Sequence, residues 1–193
     1  MNALIFATNN QHKVDEMRSL LPESFNIISL KEAGLDIDIP EPHETLEANA
    51  TEKSVTIHRL TGKNCFSEDT GLEVEALNGE PGVKSARYAG DDRRFEDNID
   101  KLLFHLKNTA NRKAQFRTIL SLILENKEYM FEGICPGSIA TAKSGDKGFG
   151  YDPVFVPDGS NKTFAEMGIR EKNKFSHRKK AMKKLLDFLN KEM

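Results

Sequence analysis

A chain of 193 residues has room for one domain, or for two lobes sharing one sheet, and at 38% hydrophobic and 30% charged it can bury a core as an ordinary soluble protein. No apolar run approaches the ~20 residues of a membrane span, and a net charge of −2 leaves no global basic field for nucleic acid. Cys65 and Cys135 have no CxxC spacing and no nearby histidine, which argues against a disulfide framework or a zinc site and for a cytoplasmic protein with two buried thiols.

Met1-Asn2-Ala3-Leu4-Ile5-Phe6 has no basic n-region and reads as the start of a strand, with Ala3 to Ala7 as its apolar run. Thr8-Asn9-Asn10 then opens a helix with Val14, Met17, Leu20 and Leu21 on one face, ended by Leu21-Pro22-Glu23-Ser24. Phe25 to Leu30 is a second strand, and the acidic stretch 31–44, with Gly34, Pro40 and Pro42, is a loop. Thr45 to Leu60 predicts a helix with Leu46, Ala50, Ile57 and Leu60 along a stripe. Asn64 to Ser67 predicts a short strand, Gly79-Glu80-Pro81-Gly82 a turn, and Asp92 to Leu106 a helix. Gln115 to Glu125 and Glu128 to Cys135, joined by Asn126-Lys127, form the best hairpin candidate. A glycine-rich loop from Gly145 to Gly150 and a strand from Val154 to Val156 follow. Ser176 caps a last helix with Ala181, Met182, Leu185, Leu186 and Leu189 inward. Strands alternating with helices, then a hairpin, then a closing helix imply an α/β fold with a mixed sheet.

Five segments carry residues suited to chemistry. Ala7-Thr8-Asn9-Asn10-Gln11-His12-Lys13 runs from a strand end into a helix, whose free N–H groups favour phosphate, with Lys13 adding a full charge; a plain N-cap with an exposed lysine has the same pattern. Glu41, Glu44 and Glu47, set against Ser67-Glu68-Asp69-Thr70-Gly71, supply the oxygen ligands that a hard cation wants, or else a solvated acidic loop. In the turn-rich stretch 79–90, Arg87 is a candidate phosphate clamp or a surface salt-bridge partner. Gly148-Phe149-Gly150-Tyr151-Asp152-Pro153 offers a ring for base stacking and an acid for a base N–H, although a core phenylalanine is the commoner use. Lys172-Asn173-Lys174-Phe175-Ser176-His177-Arg178 places cations at a helix N-terminus, against the helix dipole, which favours a role in reading base carbonyls over a surface turn.

In this order the segments resemble the Ham1-like inosine triphosphatase family of non-canonical purine NTP pyrophosphatases, over nearly the whole chain from Leu4 to about Leu189. The resemblance implies a single domain, 1–193, with a long central mixed sheet, flanking helices and two lobes enclosing a substrate cleft, in a homodimer. It implies Mg²⁺ held by Glu41 and Asp69, with Asp69 the base for water. Thr8, Asn9, Asn10, Gln11, His12 and Lys13 would bind the triphosphate, with Arg87 near it and Thr70 as a further contact. Phe149, Gly150, Tyr151, Asp152, Lys172, His177 and Arg178 would shape the base pocket. Where the family often carries Glu, this chain has Ala48, which leaves Glu44 and Glu47 as candidate helpers of the metal. Other readings are a nucleotide-binding sensor without catalysis, a pyrophosphatase for modified pyrimidine nucleotides, and an RNA-binding module on the basic stretch 172–184. The net charge and the lack of an aromatic platform disfavour the last.

Overall fold

The computed structural model describes residues 3–192. Met1 and Asn2, read as the lead into the first strand, lie outside the described residues. Strand β1 is Leu4–Phe6 and leads into helix α1, Gln11–Arg18. The start of α1 is built by side chains. Thr8 Oγ1 accepts the Asn10 N–H at 3.1 Å, and Asn10 Oδ1 accepts the Lys13 N–H at 3.2 Å. Strand β2 is Ile27–Ser29, and helix α2, Leu46–Thr61, is capped by Thr45 and closed by Gly62 in the left-handed region. Then come β3 (Cys65–Val74), β4 (Pro81–Gly82), α3 (Phe95–His105), β5 (Lys113–Leu124), β6 (Lys127–Ile139), β7 (Phe155–Pro157), α4 (Ile169–Lys172) and α5 (His177–Glu192).

The seven strands make one mixed sheet in the order β2-β1-β3-β5-β6-β7, with β4 on β3. β1 pairs parallel with β2 and β3, while β3–β4 and β6–β7 are antiparallel. The α/β class with a mixed sheet and flanking helices is thus the one expected. No helix among the described residues is long and apolar enough to cross a membrane.

Three expectations need correction. The strand expected to stop at Ser67 runs on to Val74, because Leu72 and Val74 are fully buried and Gly71 lets β4 approach. A Cβ at Gly71 would sit 2.7 Å from the Gly82 carbonyl oxygen, so only glycine fits there. The hairpin turn is one residue earlier than expected: Glu125 and Asn126, at φ +49° and +63°, form the two-residue loop whose twist suits a hairpin. Leu60 is not part of the buried stripe. It is 60% exposed, because the last turn of α2 extends past an apolar cluster that takes Ile57 from this helix.

By contacts the chain forms two compact units. Unit 1 is Met1–Asp69, Thr118–Gly133 and Arg178–Met193; unit 2 is Thr70–Arg117 and Ile134–His177. Unit 1 has a core on each face of its part of the sheet. Leu4, Phe6, Phe66, Leu120 and Leu122 pack with Val14 and Met17 of α1 and Ala181, Met182, Leu185 and Leu189 of α5. Ile5, Ala7, Cys65 and Ile123 pack with Ile57 of α2. The alternation is the period-two pattern of a strand buried on both sides. Unit 2 gathers Leu72, Val74, Ile99, Leu102, Phe116, Ile139, Phe155 and Phe164 into one cluster. Each such side chain removed from water contributes about 1.5–3 kcal/mol.

An acid-sensitive contact holds α1 to the segment after β2. Glu32 Oε2 accepts the Ser29 N–H at 2.8 Å and the Ser29 hydroxyl at 2.9 Å, and Arg18 donates to it. These bonds, the Ser29 N–H first, push the Glu32 carboxyl down to about 2. A folded-state pKa below the ordinary 4.5 means stability that is present above pH 4.5 and lost as pH falls toward 2. Glu32→Gln should therefore flatten the decline of the thermal midpoint between about pH 4.5 and pH 2. Identical slopes in variant and parent would remove Glu32 from the acid response.

Candidate active site

Successive side chains of β3 point to opposite faces of the sheet. Phe66 and Glu68 therefore face α1 and α5, whereas Cys65, Ser67 and Asp69 face α2. Two buried charge clusters in unit 1 follow from this one strand.

On the α2 face, Lys53 is the centre. Its ammonium donates to Glu41 Oε1 at 2.6 Å, to the Glu68 backbone oxygen at 2.7 Å and to Asp69 Oδ1 at 3.1 Å, which uses all three donors. Asn49 Nδ2 donates to Asp69 Oδ2 at 3.4 Å. The same amide exchanges hydrogen bonds with the His43 backbone, at 2.9 and 3.1 Å, and so ties the loop that carries Glu41 to α2. Burial opposes the charge on Lys53, but Asp69 and Glu41 outweigh it and hold the ammonium above its ordinary value. Burial raises the Asp69 carboxyl, and Lys53 and Lys13 only partly pull it back, so Asp69 is a stronger base than an exposed aspartate.

On the other face, Arg178 binds Glu68 with both Nε (3.2 Å) and Nη2 (3.0 Å) and reaches Glu16 with Nη1 (2.9 Å). Thr118 Oγ1 donates to Glu68 at 3.2 Å, and Lys13 Nζ lies 3.8 Å from it. Burial draws Lys13 below the ordinary lysine value, with Glu68 opposing. The forked contact is the geometry a guanidinium makes with carboxylate.

A cation site must be judged on these donors. Glu41 and Asp69 both aim an oxygen at one ammonium, and among the described residues no group of three or more His, Cys, Asp or Glu is arranged to hold a metal. Two carboxylates, with the remaining ligands from water and phosphate, are the usual protein share for Mg²⁺, so the donor set fits that ion. Glu44 is exposed and Glu47 half-buried at the start of α2.

In unit 2, Asp152 is buried and ion-paired. Its Oδ2 accepts the Phe149 N–H at 2.9 Å and the Lys172 ammonium at 2.6 Å. Gly148, at φ +76°, is required there, because a Cβ would fall 2.0 Å from that oxygen. The Lys172 ammonium stands 5.5 Å from the Phe149 ring centre and 5.2 Å from that of Phe164. Tyr151 is buried and donates to the Ser85 carbonyl at 2.8 Å; burial raises its hydroxyl well above the usual tyrosine range. His177 stacks on Phe116 at 4.7 Å. Lys172, His177 and Arg178 are all buried, so the surface-turn reading of that stretch does not hold.

Within unit 1 the structure brings Glu41 and Asp69 together on Lys53, and Lys13 and Arg178 together on Glu68; within unit 2 it brings together Phe149, Asp152 and Lys172. Asn9 instead donates to the Ile37 carbonyl, Gln11 bonds Asp15 on its own helix, and His12 is exposed. Thr70 and Arg87 are half-buried residues of unit 2, with Arg87 ending a 3₁₀ turn from Ser85. Gly150 is also in unit 2, at φ +62°. Asn10 caps α1, and Thr8 accepts the Asn10 N–H. Sequence reasoning missed Lys53, Asn49 and Glu16. Lys53 was detectable, because it stands on the helical stripe of Leu46, Ala50 and Ile57, where a charge is out of place unless paired. Unit 2 also has a cavity of about 540 Å³ lined by Glu73, Glu75, Lys113, Gln115 and Asp158, none of which belongs to these clusters.

A family model described as the Ham1 family matches residues 4–188. The chain belongs to the Ham1 family. A relative named dITP/XTP pyrophosphatase, from Flavobacterium johnsoniae, is 50% identical over 186 residues, covering 96% of this chain and 97% of its own. Among solved structures, the Ham1 protein of Staphylococcus aureus superposes with a TM-score of 0.89 at 39% identity, covering all of both chains. A HAM1 protein from Coxiella burnetii gives a TM-score of 0.89 at 33% identity, covering 99% of this chain and 100% of the other. The Ham1 fold is therefore shared along the full chain, the segments that hold both clusters included.

Proposed function

We propose that this chain hydrolyses non-canonical purine nucleoside triphosphates, ITP, dITP and XTP, to the monophosphate and pyrophosphate, with residues 1–193 acting as one Mg²⁺-dependent pyrophosphatase domain. The observation that carries the proposal is the meeting of Glu41 and Asp69 on Lys53, with Asp69 within electrostatic reach of Lys13 in the first turn of α1. The F. johnsoniae relative, half identical to this chain, bears the name of that activity. Mg²⁺ on Glu41 and Asp69 would neutralise phosphate charge when bound.

Asp69 orients the attacking water and takes its proton as the oxygen adds to the α-phosphorus. The bond from that phosphorus to the bridging oxygen breaks, and pyrophosphate leaves with the electron pair. Lys13 and the N–H groups of α1, with Thr8, Asn9, Asn10, Gln11 and His12 around them, stabilise the charge on the leaving group. Arg87 and Thr70 add phosphate contacts. Lys53 and Asn49 hold Asp69 in place.

Phe149 stacks on the base, and Gly150, Tyr151 and Asp152 shape its surroundings. Lys172, His177 and Arg178 face the 6-oxo group. Hypoxanthine and xanthine offer an O6 acceptor and an N1–H donor, whereas adenine offers an amino group and a bare N1. Donors left unpaired by ATP cost ~1–3 kcal/mol each, and several together give strong discrimination. Guanine keeps O6 and N1–H, so its exclusion falls to the 2-amino group. The protein acts in the cytoplasm as a homodimer.

Pyrophosphate release from ITP, XTP, dITP, GTP, ATP and dUTP, with Mg²⁺ and with EDTA, tests the proposal. Metal-dependent release from ITP and XTP, with ATP and GTP slow, is the expected result. No release from any purine would leave a nucleotide-binding sensor as the reading. Release from dUTP alone would move the substrate to pyrimidines.

A further inference from the structure

The helix α3 carries an exposed aromatic residue that the core does not use. Its inward stripe is Ile99 and Leu102, followed by Leu106 at the C-cap, all in the unit 2 core. Phe95, four residues before Ile99, continues that stripe beyond the core and is 38% exposed. It lies against Phe149, with ring centres 6.1 Å apart at an interplanar angle of 48°. Such tilted pairs are attractive and directional.

Phe149 needs an external support. Gly148 and Gly150 flank it, both at positive φ, so neither neighbour has a side chain to restrict the ring. The Lys172 ammonium lies 5.5 Å from the ring centre, and Phe95 supplies an apolar contact. The same helix holds this loop a second time: Lys143 pairs with both Glu96 and Asp100. The helix is itself anchored, because Asn98 accepts the Ala89 N–H at 2.6 Å and donates to the Ala86 carbonyl at 3.0 Å. The first half of α3 is thus a rigid mount with two attachments to the segment around Phe149.

We propose that Phe95 is a positioning residue for base recognition, holding the Phe149 ring in the orientation in which it stacks on the purine. The inference rests on the reading of Phe149 as the stacking ring. A ring fixed before the substrate arrives loses no rotamer freedom on binding, so the benefit appears in affinity and not in the chemical step.

The test has two parts. In the kinetic part, Phe95→Ala should raise KM for ITP and for XTP about three- to tenfold, with kcat within about twofold. Phe95→Tyr, which keeps a ring, should restore the parent KM. Phe104→Ala, which removes a ring that is 75% exposed on the same helix and not paired with Phe149, should leave both constants unchanged. The Phe95→Ala change should add nothing to the KM defect of Phe149→Ala, because a support has no role once the ring is gone. An unchanged KM in Phe95→Ala, a fall confined to kcat, or additive defects would overturn the proposal.

The second part needs no turnover. The chain has no tryptophan, so Phe149→Trp places a single indole at the site. Adding Phe95→Ala to that chain should raise acrylamide quenching and lower the anisotropy of the indole. No change in either would show that Phe95 does not hold the ring. If the indole responds while Phe149→Ala leaves the KM for ITP unaltered, the contact stands but the stacking role of Phe149 fails, and the proposal with it.

Discussion

Asp69→Asn should lower pyrophosphate release from ITP by about 10²-fold or more at saturating Mg²⁺, the usual range for removing an acid–base group. The substitution keeps the size and planarity of the side chain, and Lys53 retains Glu41 and the Glu68 backbone oxygen as acceptors. The fold should therefore survive, with the thermal midpoint shifted by a few degrees at most. What is lost is the negative charge and the proton-accepting oxygen. Burial has already made this carboxylate a better base than an exposed one, and an amide at the same place has no such capacity. Turnover near the parent level would exclude Asp69 as the base. Full recovery only at Mg²⁺ well above the concentration that saturates the parent would assign it to the metal alone.

The second large effect is on stability. Arg178→Met should destabilise the protein by about 3–5 kcal/mol, the range for removing one partner of a buried ion pair. Glu68 has no exposed side-chain area and Glu16 only 10%, so neither can turn to water. Lys13, 3.8 Å from the Glu68 carboxylate, is then left as its ion-pair partner. Urea unfolding measures the loss. In the Glu68→Gln/Arg178→Met double variant the cost should fall below the sum of the two single changes, since the neutral amide needs no cation. A loss under about 1 kcal/mol, or strict additivity, would mean that the cluster does not hold unit 1 together. The same variant tests the base pocket. If its ITP to ATP rate ratio equals that of the parent, Arg178 serves Glu16 and Glu68 and not the base.

These two residues also show how far the primary structure could be read. The cap cluster Thr8-Asn9-Asn10 before α1, the place where α2 starts and the apolar faces of α1 and α5 were legible, because caps and helical stripes depend on residues within a few positions of one another. The order of strands and helices, and with it the α/β class, came from the same short-range signals. The segment Ser67-Glu68-Asp69-Thr70-Gly71 was legible as chemistry but not as structure. A run of polar residues reads as a loop, yet here it is the middle of a ten-residue strand.

That difference decides the site. Inside a strand, Glu68 and Asp69 must point to opposite faces, so one joins Arg178 and the other joins Lys53. Glu68 and Arg178 are 110 residues apart in the chain, and Asp152 and Lys172 are 20 apart. By itself the sequence determined most of the strands and the longer helices, and which residue types were available to bind phosphate, cation and base. Only the tertiary structure decided which charges are buried together. A carboxylate or ammonium can leave water only beside a partner, and that partner is brought by the sheet and its helices, not by neighbours in the chain.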